Sequence, residues 1–247
     1  MAAIKKIRLD QALVEQGLSE SREKAQRAIL AGQVWIAGQR ASKASQTVLP
    51  DAALEVRGSD RYVSRGGHKL EGALAHFQVD PTGLLCLDVG ASTGGFTDCL
   101  LQAGARRVIA LDVGSGQLHW KLRQDPRIEV REGVNARALD PAAFPDPIDL
   151  AVIDVSFISL RLVLPPLFPL LAPGGRLLAL IKPQFEAGRS EVGKGGIVRD
   201  EAVRERVIAG LREWLQPFPV EDCGVVPSSL RGTDGNQEYL WAIAKKG

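Results

Sequence analysis

The segment Leu84-Leu-Cys-Leu-Asp-Val-Gly-Ala-Ser-Thr-Gly-Gly-Phe96 constrains this chain more than any other part of it. An apolar run of strand length leads through Asp88 into a glycine-rich turn, and a helical pattern starts at Phe96. Glycines at 90, 94 and 95 let the backbone approach a ligand closely, and the first turn of the helix offers unpaired N–H groups. The spacing is not Gly-x-Gly-x-x-Gly. Asp112 ends the next apolar run, 22 positions after Gly90, where a carboxylate can accept both ribose hydroxyls of an adenosine ligand. Spacing alone allows NAD or S-adenosylmethionine.

The same alternation continues along the chain. Strands are expected near 84–89, 107–112, 128–131, 148–154, 176–181, 221–226 and 238–244, with helices near 69–77, 96–103, 117–123, 159–171 and 201–214. That order predicts an α/β domain, a Rossmann-like parallel sheet covered on both faces. Asp154 closes the fourth of these strands and Lys182 the fifth, so consecutive parallel strands deliver an acid and a base to one crevice. Lys69 follows Arg65-Gly-Gly-His, and Glu238 begins the last strand after Gly235-Asn-Gln. Gly188-Arg-Ser-Glu-Val-Gly-Lys-Gly195 mimics a phosphate-binding loop, but Gly195 stands where a hydroxyl would hold magnesium and no strand precedes it. It reads as a mobile loop, either one whose Arg189 and Lys194 close over a phosphate-bearing substrate or simply a solvated flexible one.

Residues 1–65 carry a net charge of +4 and the remainder −2, so the front piece is the basic one. Leu9, Ala12, Leu13 and Gln16 share a helical face over 8–16, and a second helix capped by Ser19 or Ser21 runs to about 31. Its outer face holds Arg22, Lys24 and Arg27. Gln33-Val-Trp-Ile-Ala-Gly-Gln-Arg40 reads as strand, turn and strand, with further strand signal at 47–49 and 54–56 and a linker at 58–61. Residues 6–57 thereby resemble the S4-type RNA-binding domain, a small α+β module. The resemblance assigns Arg8, Arg22, Lys24, Arg27, Arg40 and Lys43 to phosphate contacts, which supply affinity without sequence choice.

Several classes are excluded. With 247 residues, 45% of them apolar and 24% charged, the chain is not disordered and suits a medium domain plus a small one. Three separated cysteines, Cys86, Cys99 and Cys223, form neither a disulfide scaffold nor a thiolate zinc site and fit a cytoplasmic protein. His68, His76 and His119 lack metal-ligand spacing, so no metal is expected. Residues 1–10 turn charged too early for a secretory signal. The most apolar stretch, 162–173, has 12 residues and four prolines, whereas a spanning helix needs about 20 apolar residues, so no membrane partner is expected. Phe157 reads as a core aromatic in preference to a stacking surface for a base.

Asp88-Val-Gly-Ala-Ser-Thr-Gly-Gly-Phe-Thr and Asp112-Val-Gly resemble the first two motifs of Rossmann-like methyltransferases. Together with Ser64-Arg-Gly-Gly-His-Lys69, Asn135-Ala-Arg137, Asp154-Val-Ser-Phe-Ile-Ser159, Lys182-Pro-Gln-Phe-Glu186 and Gly235-Asn-Gln-Glu238, nearly the whole chain resembles the TlyA family. Its members join an S4-type domain to an FtsJ-like 2′-O-ribose methyltransferase of ribosomal RNA, and some were first called haemolysins. The resemblance implies an S4-like module with its linker over 1–60 and a seven-stranded methyltransferase domain over 61–247. It implies a catalytic tetrad of Lys69, Asp154, Lys182 and Glu238. S-adenosylmethionine would lie on Asp88, Gly90, Ala91, Ser92, Thr93, Gly94, Gly95, Asp112, Val113 and Asn135, and RNA would also meet Arg65. The implied reaction is methylation of cytidine ribose in 16S rRNA, 23S rRNA or both, on free RNA or ribosomal subunits. The alternatives are a non-catalytic ribosome-assembly factor and a membrane-active haemolysin.

Overall fold

A computed structural model describes residues 6–58 and 60–246. The first half of the basic opening, residues 1–5, lies outside the described residues, as do position 59 in the expected linker and position 247. The backbone divides into two compact units between Arg61 and Tyr62.

The first unit runs β1 (Ile7–Arg8), α1 (Leu9–Glu15), α2 (Arg22–Leu30), β2 (Val34–Ile36), β3 (Gln39–Arg40), β4 (Thr47–Val48) and β5 (Leu54–Val56). Leu9, Ala12 and Leu13 of α1 meet Ala25 and Ile29 of α2 in a small core with Val34 and Val48. Ser21 caps α2 by accepting from the Lys24 N–H. Arg8 is not the first helical residue expected from the pattern. It pairs with Thr47 as β1 joins β4 antiparallel, because β4 offers the backbone partners that a helix start lacks. β3, β2 and β5 form a second antiparallel sheet.

The second unit comprises α3 (Gly66–His76), β6 (Leu85–Val89), α4 (Gly95–Gln102), β7 (Arg107–Asp112), α5 (Trp120–Arg123), β8 (Ile128–Glu132), β9 (Ile148–Ile153), α6 (Leu160–Val163), β10 (Leu171–Ile181), α7 (Pro183–Glu186), α8 (Glu201–Leu215), β11 (Val220–Pro227) and β12 (Tyr239–Lys245). Its seven strands form one sheet in the order β11-β12-β10-β9-β6-β7-β8. Alternate residues of each strand feed opposite faces. Leu85, Leu87 and Val89 join the core under α6 and α8, whereas Cys86, Leu150 and Val152 join the core under α3 and α4. The sheet is thus doubly covered, as its apolar runs predict.

Three expectations are corrected. The sheet is not wholly parallel, since β12 runs antiparallel to both β10 and β11. The loop 228–238 joins β11 to β12 without a crossover helix, so the chain reverses between them where a parallel pair needs a crossover. The helix expected over 159–171 stops after one turn at Val163, because Pro165, Pro166 and Pro169 remove backbone donors, and β10 already starts at Leu171. The helix expected over 117–123 likewise retains only its last four residues.

The first unit depends on one buried carboxylate. Asp10 accepts from Arg8 Nε and Nη2 at 2.9 and 2.8 Å, from Gln26 Nε2 at 2.7 Å and from Arg22 Nη2 at 3.3 Å. The Arg8 guanidinium holds the Asp10 carboxyl well below the usual carboxylate range, against its burial. Replacement of Asp10 by Ala is expected to destabilise this unit by about 1–3 kcal/mol, since the half-exposed arginines regain water but Gln26 loses its partner. Faster amide exchange in α1 and α2 of the full chain is the check.

Candidate active site

The site lies at the end of the sheet where β6, β7, β9 and β10 finish and β12 begins. The turn after β6 comes so close to the end of β9 that a Cβ at Gly90 would meet the Asp154 carbonyl oxygen at 2.4 Å, and Gly90 has φ of +84°. Only glycine suits both demands. The start of α3 packs equally closely on the start of α4, for a Cβ at Gly95 would lie 2.3 Å from Ser64 Oγ and 3.0 Å from the Gly67 nitrogen. Lys69, one turn into α3, is thereby brought to the turn.

Two adjoining cavities result. A cavity of about 360 Å³ is lined by Lys69, Asp154, Lys182 and Glu238, all four tetrad candidates, and by Gly90, Ala91, Ser92, Thr93 and Gly95. Lys69 Nζ donates to Glu238 Oε2 at 2.5 Å, with both side chains largely buried. Lys182 Nζ lies 2.6 Å from Asp154 Oδ1. Antiparallel β12 accounts for the arrangement, because Tyr239 is paired with Ile181 and its neighbour Glu238 falls at the end of β10, beside Lys182. A parallel last strand would have carried Glu238 to the opposite edge.

The second cavity, about 950 Å³, is lined by Gly90, Ser92, Asp112, Val113 and Asn135. Asp112 braces this wall by accepting the Ser92 N–H at 2.8 Å and the Gly114 N–H at 2.7 Å. Asn135 accepts the Arg137 N–H at 3.0 Å. Val113 is exposed and offers an apolar surface beside Asp112. The cavity suits a ligand of nucleoside size with a polar tail. The cradle at Gly90 and the carboxylate at Asp112 fit the groups of S-adenosylmethionine.

Asp88 does not reach either cavity wall. Its carboxyl is wholly buried beneath the turn, accepts from Thr97 Oγ1 at 2.6 Å, and leaves Oδ1 without a hydrogen bond. Burial pushes it up to about 7, partly offset by the Thr97 hydrogen bond and reinforced by Asp154 and Asp112. Gly94 lies against Leu118 and Leu122, in a packing position.

The expected RNA-contacting residues are placed differently from one another. Arg65 lines the tetrad cavity and donates to the Arg231 carbonyl at 3.2 Å. Arg189 and Lys194 are exposed and line neither cavity. Their loop is tied down, as Asn236 accepts the Val198 N–H at 2.9 Å and donates to the Gly196 carbonyl at 2.8 Å, while Glu191 pairs with Arg206. In the first unit Arg8 and Arg22 are held on Asp10, Lys24 pairs with Glu20, Arg27 lies 3.8 Å from Glu23, and Arg40 donates to the carbonyl of Gly32, just beyond α2. Lys43 is exposed.

The core reading of Phe157 is wrong. The ring is 90% exposed on a backbone with φ of +63°, beside Phe185 at the wall of the larger cavity. Val155 and Ile158 still pack against the core, but the left-handed backbone at Phe157 turns its ring outward, so the apolar pattern of β9 does not extend to it. Ser64, Ser156, Arg231 and Thr233 also line the tetrad cavity and escaped the sequence reading. They lie in loops, where no periodicity marks a residue, and only their proximity to Lys69, Asp154 and Glu238 in the chain was a signal. Among the described residues, no group of three or more His, Cys, Asp or Glu side chains is arranged to hold a metal ion, and no helix is long and apolar enough to cross a membrane.

Comparison with known proteins agrees with this geometry. Residues 62–245 match the FtsJ-like methyltransferase family and residues 7–54 match the S4 domain. The chain is 51% identical to a Bacillus subtilis protein named as an rRNA methyltransferase, YqxC, over 96% of this chain and 85% of the relative. It is 47% identical to the 16S/23S rRNA (cytidine-2′-O)-methyltransferase TlyA of Mycobacterium tuberculosis, over 96% of this chain and 90% of the relative. A solved structure from Streptococcus thermophilus, described as a hemolysin, has 44% identity and a TM-score of 0.74, covering 99% of this chain and 90% of that one.

The buried Asp88 predicts a pH signature. Its native carboxyl keeps a proton that the unfolded chain releases near pH 4, so this contribution to stability is present below that pH and declines as pH rises to about 7. Asp88→Asn is therefore expected to gain stability relative to the wild type between pH 4 and 7, with a constant difference above that range. Urea titrations at several pH values measure it.

Proposed function

The chain belongs to the FtsJ-like methyltransferase family, within the TlyA group that carries an S4 domain, and on that premise we propose that it methylates the 2′-oxygen of a cytidine ribose in ribosomal RNA. The supporting observation is a cavity holding two lysine–carboxylate pairs directly beside the glycine turn. S-adenosylmethionine supplies a methyl group already activated by its sulfonium charge. Asp112, Val113 and Asn135 would hold its nucleoside half, and Gly90, Ala91, Ser92, Thr93 and Gly95 would border its methionine end.

The protein's own work is then to align a weak nucleophile and manage one proton. The Lys182 ammonium, held by Asp154, stabilises the charge that develops on the 2′-oxygen as its proton departs to water. Lys69 and Glu238, paired with each other in the same cavity, position the ribose. The two pairs cancel in charge, whereas Arg65 and Arg231 have no carboxylate partner among the described residues. Their surplus positive charge suits the phosphodiester of a polynucleotide substrate. Residues 1–60 serve as the module that grips rRNA, with Lys43 and the arginines braced by Asp10 on phosphates, and residues 61–247 carry out transfer in the cytoplasm.

Two substitutions separate the roles. Lys182→Ala is expected to abolish transfer of tritiated methyl to rRNA while the calorimetric affinity for S-adenosylmethionine stays near that of the wild type. Asp112→Ala is expected to weaken that affinity by about tenfold or more, as befits loss of a charged hydrogen-bond acceptor. Near-normal turnover in the first variant, or unchanged affinity in the second, contradicts the assignment.

A further inference from the structure

The two lysine–carboxylate pairs differ in one respect. Lys69 makes an aligned hydrogen bond to Glu238. Lys182 approaches Asp154 Oδ1 to 2.6 Å, yet that buried oxygen has no partner in hydrogen-bond geometry. The aligned hydrogen bond of Lys182 Nζ goes instead to Ser156 Oγ, at 2.8 Å. A Coulombic contact fixes the separation of two charges but weakly constrains direction, whereas a hydrogen bond loses strength steeply as it bends. Asp154 thus supplies the counter-charge and Ser156 supplies the direction.

Ser156 is also placed where the direction matters. It follows β9 by three residues and lines both cavities, at the junction of the glycine turn and the tetrad. Its hydroxyl accepts from Lys182, so its own proton remains available to an oxygen in the cavity. We propose that Ser156 is a positioning residue that aims the Lys182 ammonium at the substrate hydroxyl. The proposal rests on the methyl-transfer reading for its consequence in turnover but not for the contact itself.

The test compares the full chain with Ser156→Ala and Ser156→Thr by two readouts. In methyl transfer to rRNA, the alanine variant is expected to lose about tenfold in kcat, near the lower end for a hydrogen bond to a charged group because Ser156 is exposed. Its KM for rRNA and its Kd for S-adenosylmethionine stay within about twofold, the pattern of a group acting only in the reaction step. Threonine, which keeps the hydroxyl, restores most of kcat. In the second readout, mass spectrometry follows modification of Lys182 by an amine-reactive reagent, which is expected to speed up severalfold in the alanine variant alone. Unchanged kcat, or a loss of cofactor affinity matching the loss of turnover, overturns the proposal. Equal labelling of Lys182 in wild type and Ser156→Ala also overturns it. If the wild-type chain transfers no methyl group, faster labelling in Ser156→Ala still supports the contact, and the failure belongs to the reaction assigned above.

Discussion

The turn after β6 and the last residues of β9 approach each other so closely that position 90 has no room for a Cβ beside the Asp154 carbonyl. This contact fixes the distance between the glycine turn and the carboxylate that holds Lys182. Other features of the site are arranged around it. The Asp154 N–H donates to the Val89 carbonyl at 3.0 Å, which locks the end of β9 to β6. The glycine contact between α3 and α4 carries Lys69 to the same place from the other side.

Charge is distributed with equal economy. Lys69 and Lys182 are matched by Glu238 and Asp154, so these four charged side chains share the cavity without a large net field between them. The two arginines at its rim, each anchored by backbone carbonyls, leave their charge available to an anion. Beneath the turn, Asp88 is kept partly protonated at neutral pH by burial and by the neighbouring carboxylates, and Thr97 orients it. Its position suggests a supporting role for the turn and not a direct ligand contact.

Most strands of the sheet were legible as short apolar runs bounded by turn residues, β8 being instead a short charged alternation, and Asp112, Asp154 and Lys182 could be placed at strand ends from their position in those runs. The direction of β12 was not legible, since apolar periodicity is the same for parallel and antiparallel strands, and with it the reason Glu238 meets Lys69 was hidden. Prolines within 159–171 were visible, but the weight of leucines in that stretch outweighed them in the helical reading. Phe157 was misplaced because a single aromatic next to a strand looks the same whether the chain continues inward or turns out. In the first unit the basic residues were readable as a set, but not their individual partners, since the pairing of Arg22 with Asp10 depends on the crossing of α1 and α2.

The most direct test of the account is incubation of the purified protein with tritiated S-adenosylmethionine and separate ribosomal subunits from a strain lacking the corresponding enzyme, followed by nuclease digestion and mass spectrometry of the labelled nucleotide. The account predicts a methyl group on the 2′-oxygen of a cytidine. Label on a base, or no label on either subunit or naked rRNA while cofactor binding is intact, would contradict it; the second result would favour a non-catalytic role in ribosome assembly.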